Sequence, residues 1–95
     1  MTNRLYLSLY KKWFDEILTG KKKIEYREIK PFYDRLLSKN YTEVKFINGY
    51  GNTRPYIIVR ISKIQKGGKY YEIHLGEILE RGNIESPNQI NQLNQ

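Results

Sequence analysis

"LTGKKKIEYREIKP", residues 18–31, is half charged: seven of its fourteen side chains are Lys, Arg or Glu. Ile24, Tyr26 and Ile29 interrupt the charge at intervals that suit a chain partly buried. The fold turns on how this stretch is read. An apolar helical run ends at Leu18, and Gly20 sits where a C-terminal cap belongs. Glycine takes a positive φ without steric cost, so it can turn the chain sharply from helix into strand. The lysines that follow suit the negative end of the helix dipole. Residues 21–28 then read as a strand. By strict alternation Lys22 shares a face with Ile24 and Tyr26, aimed inward or at a cleft, while Glu25 and Arg27 share the opposite face.

Upstream, "RLYLSLY" alternates Leu5, Leu7 and Leu9 against Tyr6, Ser8 and Tyr10, the period of a half-buried strand. "YKKWFDEILTG" places Trp13 four residues from Ile17 and Phe14 four from Leu18. Lys11, Lys12, Asp15 and Glu16 fall largely on the other side, which predicts an amphipathic helix of two to three turns. Downstream, "KPFYDRLLSKN" reads as a short helix. Pro31 lies in its first turn, and Phe32, Leu36 and Leu37 form its apolar side. "TEVKFING", "YIIVRISKIQ" and "YYEIHLGEILE" read as strands, the last two joined by the "KGGK" turn. The order β-α-β-α-β-β-β excludes a regular parallel α/β sheet. It predicts α+β, with a small curled sheet or barrel of about five strands and two short helices. Ninety-five residues make one domain, expected over residues 1–81. Residues 82–95, half of them Asn or Gln, are expected to be a C-terminal tail in which Ser86-Pro87 can start a short helix or the chain can fray.

The chain carries 17 basic and 10 acidic residues, a net charge of +7. That points to a polyanionic partner, with RNA or single-stranded nucleic acid first and an acidic protein or membrane surface second. Nine tyrosines favour RNA or nucleotide contact over membrane contact, because a Tyr ring stacks on a base while its hydroxyl stays polar. With no Cys and one His, disulfides and thiol catalysis are excluded and a zinc site is disfavoured. No metal or organic cofactor is expected. "LYLSLY" is far too short for a signal peptide or membrane span, so a soluble, cytoplasmic protein is expected.

Gly20, Lys22, Glu25 and Arg27 spell Gly-x-Lys-x-x-Glu-x-Arg, a pattern that resembles the signature of ASCH domains, a family related to the PUA fold. The resemblance extends to the opening strand and helix "LSLYKKWFDEILTG", to the segment "FINGYGNTRPYIIVRI" seen in small phage and bacterial members, and to the closing "YEIHLGEIL". It spans about residues 4–80. It implies a compact PUA-like barrel with a cleft beside the motif, and an RNA-binding or modified-nucleoside-binding module. Some relatives hydrolyse N4-acetylcytidine and others have been assigned ribonuclease activity. The acetylcytidine hydrolases carry a catalytic Thr where this chain has Glu25, and draw a further Glu from a helical insertion that "RISKIQKGGK" lacks. Of that catalytic set only the Lys maps over, onto Lys22.

The residues allow several roles. In a cleft, Lys22 clamps a phosphate or carbonyl, Arg27 forks onto one, and Glu25 orients Arg27 or accepts a base N–H. The bland alternatives are a Lys22 that snorkels at a strand end and an ion pair that braces the barrel mouth. An exposed pair is worth about 0.5 kcal/mol, too little to explain the pattern by stability. Lys21 and Lys23 extend the positive patch and can steer an anionic ligand. Tyr50 in "NGYG" can stack on a base while Asn48 and Asn52 hydrogen-bond to it, or the loop is an ordinary turn. Glu72 and His74 share a face of the last strand; if that face lines the cleft they are acid–base candidates, and otherwise surface residues. Two readings stand beside the binding module. One is a metal-independent hydrolase acting on RNA or an acylated nucleoside, with Lys22 and Glu25 as the catalytic groups. The other is a protein-interaction module that uses the basic face.

Overall fold

The computed structural model describes residues 3–49 and 54–84. Its elements run β1 (Arg4–Leu9), α1 (Lys11–Leu18), β2 (Ile24–Glu28), α2 (Pro31–Leu36), β3 (Glu43–Asn48), β4 (Tyr56–Lys66) and β5 (Tyr70–Gly82). The expected element order is the one found. Tyr50, Asn52 and the Ser86-Pro87 segment lie outside the described residues.

The five strands form one mixed sheet in the order β1-β3-β4-β5-β2, curled into a half-barrel. This is an α+β fold of the PUA-like kind. β1 and β3 are parallel, Leu5 opposite Val44 and Leu7 opposite Phe46, and every other pairing is antiparallel. A parallel pair needs a long crossover, and α1, β2 and α2 supply it. The β4–β5 ladder shifts register between Ile58 and Val59, again before Ile61, and again before Lys63. Such bulges bend a strand and increase its twist, which is how a β4–β5 hairpin of this length curls.

Leu5, Leu7 and Leu9 are buried and their alternating neighbours exposed. Phe46, Ile57, Val59 and Ile73 join them in the centre, and Phe14 and Ile17 of α1 close one side. Each such side chain contributes on the order of 1.5–3 kcal/mol by leaving water, so this cluster outweighs any single polar contact. α2 buries no residue. The expected apolar side of Phe32, Leu36 and Leu37 forms only in part. Phe32 is 55% exposed, while Leu37 is buried just past the helix end. Tyr33 packs against the core instead. Polar ties hold α2 in place: Tyr71 donates its hydroxyl to Asp34 at 2.5 Å and Lys66 donates to the same oxygen at 3.3 Å. Those two donors, Tyr71 first, hold the Asp34 carboxyl below its ordinary 3.8, and the carboxylate raises the Tyr71 phenol.

β5 runs past Glu80 to Gly82, which pairs with Tyr56. A Cβ on Gly82 would meet the Tyr56 ring at 1.9 Å, so only glycine fits there. Asn83 donates to the Arg54 carbonyl and Ile84 packs against the core.

Candidate functional site

Gly20 adopts φ +83°, the conformation expected of it. Its N–H returns to the Ile17 carbonyl at 3.1 Å, and the Lys22 N–H reaches the Glu16 carbonyl at 3.0 Å. These bonds take up helix-end carbonyls, and they also fold residues 21–23 back against α1. The strand therefore starts at Ile24 rather than Lys21.

That late start takes Lys22 out of the alternation, and the pairing of β2 with β5 reverses which face is inward. Glu25 is buried at 6% exposure, while Tyr26 is 48% exposed. Glu25 lies opposite Ile73, a core residue, and Arg27 opposite Tyr71. The inward face of β2 is thus Glu25 and Arg27, not Ile24 and Tyr26. Lys22, outside the alternation, swings its ammonium to 3.4 Å from Glu25 Oε1. Lys22, Glu25 and Arg27 meet, as the motif suggested, although alternation had put Lys22 on the other face.

Glu25 is held from both ends. Arg27 Nε donates to Oε2 at 2.8 Å, and Arg27 Nη2 lies at the same distance from that oxygen. Arg27 Nη1 donates to the Tyr33 hydroxyl and Nη2 to the Ser8 carbonyl, both at 3.0 Å. Every nitrogen of the guanidinium is engaged. Its bonds join β2 to α2 and to β1, the other edge of the sheet. Asn48 does similar work nearby, donating to the Leu9 carbonyl at 3.1 Å. It sits at the end of β3, so its amide ties strands together. Arg27 is therefore a brace across the open side of the half-barrel, and its charge is matched by a buried carboxylate.

Lys22 is different. Among the described residues its ammonium has one carboxylate partner, and it lies 5.2 Å from the ring centres of both Trp13 and Tyr26. An ammonium carries three donors, so Lys22 keeps donors for a ligand.

Between the two sheet edges opens a recess of about 670 Å3, with Glu25 and Arg27 in its wall. Trp13, Tyr26 and Tyr33 supply aromatic surface, and Lys30 a further cation. The volume falls within the range of small-molecule sites. Lys22 faces an adjoining recess that shares the Trp13, Glu25 and Tyr26 walls. Lys21 and Lys23 are exposed and line neither of these recesses. Glu72 and His74 pair with each other at 3.0 Å. They lie opposite Tyr26 and Ile24, on the face of the sheet away from Glu25; Tyr26 of that face reaches both recesses, whereas Glu72 and His74 line neither. Among the described residues no group of three His, Asp or Glu side chains could hold a metal ion. No helix there is long and apolar enough to cross a membrane.

Sequence reasoning missed Trp13, Tyr33 and Lys30 as cleft residues. Trp13 was read as part of the apolar helix face because it stands four residues from Ile17. A Trp preceded by two lysines, and still 39% exposed in the fold, is better suited to a boundary than a core.

No curated protein matches the chain. The ASCH domain model matches residues 7–92, from the middle of β1 to beyond β5 and across the whole motif. With the curled mixed sheet and the Gly20-Lys22-Glu25-Arg27 cluster at its open side, the chain belongs to the ASCH domain family.

Proposed function

We propose that this protein is an RNA-binding ASCH module whose recess between β1 and β2 takes a nucleobase or a modified nucleoside. The observation that carries the reading is the buried Glu25, fixed between Lys22 and Arg27 beside a recess walled by aromatic rings. A carboxylate held this rigidly is an acceptor for base N–H groups at defined positions. Trp13, Tyr26 and Tyr33 offer ring surface for stacking, and the spare donors of Lys22 suit a phosphate. The net charge of +7, with Lys21 and Lys23 exposed, supports steering of an anionic strand. Binding ranks ahead of hydrolysis because both oxygens of Glu25 already face cations, an arrangement that orients a ligand better than it abstracts a proton.

The test is a fluorescence titration with single-stranded RNA oligonucleotides across a salt series. Affinity should fall linearly with salt on logarithmic axes, as phosphate contacts release counterions. No binding to any oligonucleotide at low salt would overturn the reading.

A further inference from the structure

The cleft has two compartments. Beside the recess between the sheet edges lies a second one of about 460 Å3, walled by Trp13, Lys22, Glu25, Tyr26 and Tyr70. Trp13, Glu25 and Tyr26 belong to both. Tyr70, 47% exposed, belongs only to the second. It stands edge-on to Tyr26, with ring centres 6.0 Å apart and planes at 70°. The Lys22 ammonium lies between the Trp13 and Tyr26 rings that bound the second compartment.

We propose that the second compartment holds a neighbouring base, so that the site binds two consecutive nucleotides of a single strand rather than one free nucleoside. This rests on the reading of the first recess as a nucleobase site. Both volumes fall in the range of small-molecule sites, so each has room for one heterocycle. Tyr26 divides them and offers ring surface to each side. Consecutive bases of an unstacked strand need such separate platforms. Lys22 lines the second compartment beside Trp13, Glu25 and Tyr26, the walls that both share, which places its spare donors near the phosphate that links the two nucleotides. An acidic peptide would match the cations, but it would make no use of three exposed rings arranged around one lysine.

The experiment follows the fluorescence of Trp13, the single tryptophan, which borders both compartments. The probes are nucleoside 5′-monophosphates and the corresponding dinucleoside monophosphates, with base sets matched. The dinucleoside carries less charge, so any gain with it is not electrostatic. We expect dinucleosides to bind about five- to tenfold more tightly or better, the order of one base–aromatic stack. Tyr70→Ala should remove that gain without changing mononucleotide affinity, and Tyr70→Phe should retain it. Circular dichroism confirms that each variant is folded. Equal affinity for the two lengths, or a gain that survives Tyr70→Ala, overturns the second compartment and leaves the first standing. If no mononucleotide or dinucleotide binds, both readings fail together.

Discussion

Glu25–Arg27 on β2 and Glu72–His74 on β5 are both acid–base pairs two residues apart, on neighbouring strands of one sheet. Their lengths are nearly equal, 2.8 and 3.0 Å. Their surroundings are not. The Glu25 and Arg27 side chains are 8% and 17% exposed, against 30% and 23% for Glu72 and His74. Arg27 goes on to bind Tyr33 and Ser8, whereas among the described residues the His74 ring bonds only to Glu72. Spacing alone does not make a pair structural. What matters is which face of the sheet it occupies and how many elements the cation joins.

The widest gap between the two pairs should appear in stability. Arg27→Ala leaves Glu25 buried without its main partner and unties β1 from β2. Stranding a buried charge costs about 3 kcal/mol or more, which lowers Tm by at least about 10 °C in a domain of this size. His74→Ala should cost under about 0.5 kcal/mol. Urea melts of both variants check the contrast, and equal losses would erase it. Exposure of the Arg27 pair would have predicted almost no effect. Its burial reverses that expectation.

Gly20→Ala comes next. At φ +83° an alanine is strained, and the expected loss is about 1 kcal/mol. The Gly20 turn also brings Lys22 onto Glu25, so this variant should weaken nucleic-acid binding as well as folding. Tight binding by a destabilised Gly20→Ala protein would separate the turn from the site.

The smallest change should come from acid. Asp34 titrates lower in the folded protein than its ordinary 3.8, chiefly because Tyr71 donates to it. A lowered carboxyl stabilises the fold above its unfolded value, and that contribution is lost as pH falls through the lowered folded value. Between roughly pH 5 and pH 2.5, wild type should therefore lose urea stability more steeply than Tyr71→Phe. Parallel acid profiles would show that the clasp on α2 contributes nothing.

Much of the fold was legible because local patterns carried it. Leu5, Leu7 and Leu9 alternate into the core as their spacing requires, and Phe14 and Ile17 mark the buried side of α1. Gly20 announced its own positive φ. The site was legible as a set of residues but not as an arrangement. Two backbone bonds back to α1 delay the strand by three residues and take Lys22 out of its alternation, and which face of β2 turns inward is set by its pairing with β5. Nothing near Arg27 in sequence reveals that its fork ends on Ser8, because β1 and β2 meet only when the sheet curls. That Glu72 and His74 share the face of Tyr26 rather than that of Glu25 likewise depends on the register of β5 with β2, a long-range pairing. Phe32 and Tyr33 are adjacent, and which of them turns inward is settled by tertiary contacts, the core packing of Tyr33 and its hydrogen bond from Arg27.

Lys22 and Lys63 offer the most direct test of whether the open side of the half-barrel is the binding face. Each is a single positive charge. Lys22 lines the cleft, and Lys63 lies opposite His74 and lines neither recess. Single-stranded RNA affinities of Lys22→Ala and Lys63→Ala, measured at one low salt concentration on folded protein, compare the cleft with a position outside it at equal loss of charge. Lys22→Ala should weaken binding by about tenfold or more, as expected for a charge-assisted contact, while Lys63→Ala changes it by less than about threefold. Equal losses from the two variants would mean that RNA is held by overall charge and that the cleft is not the site.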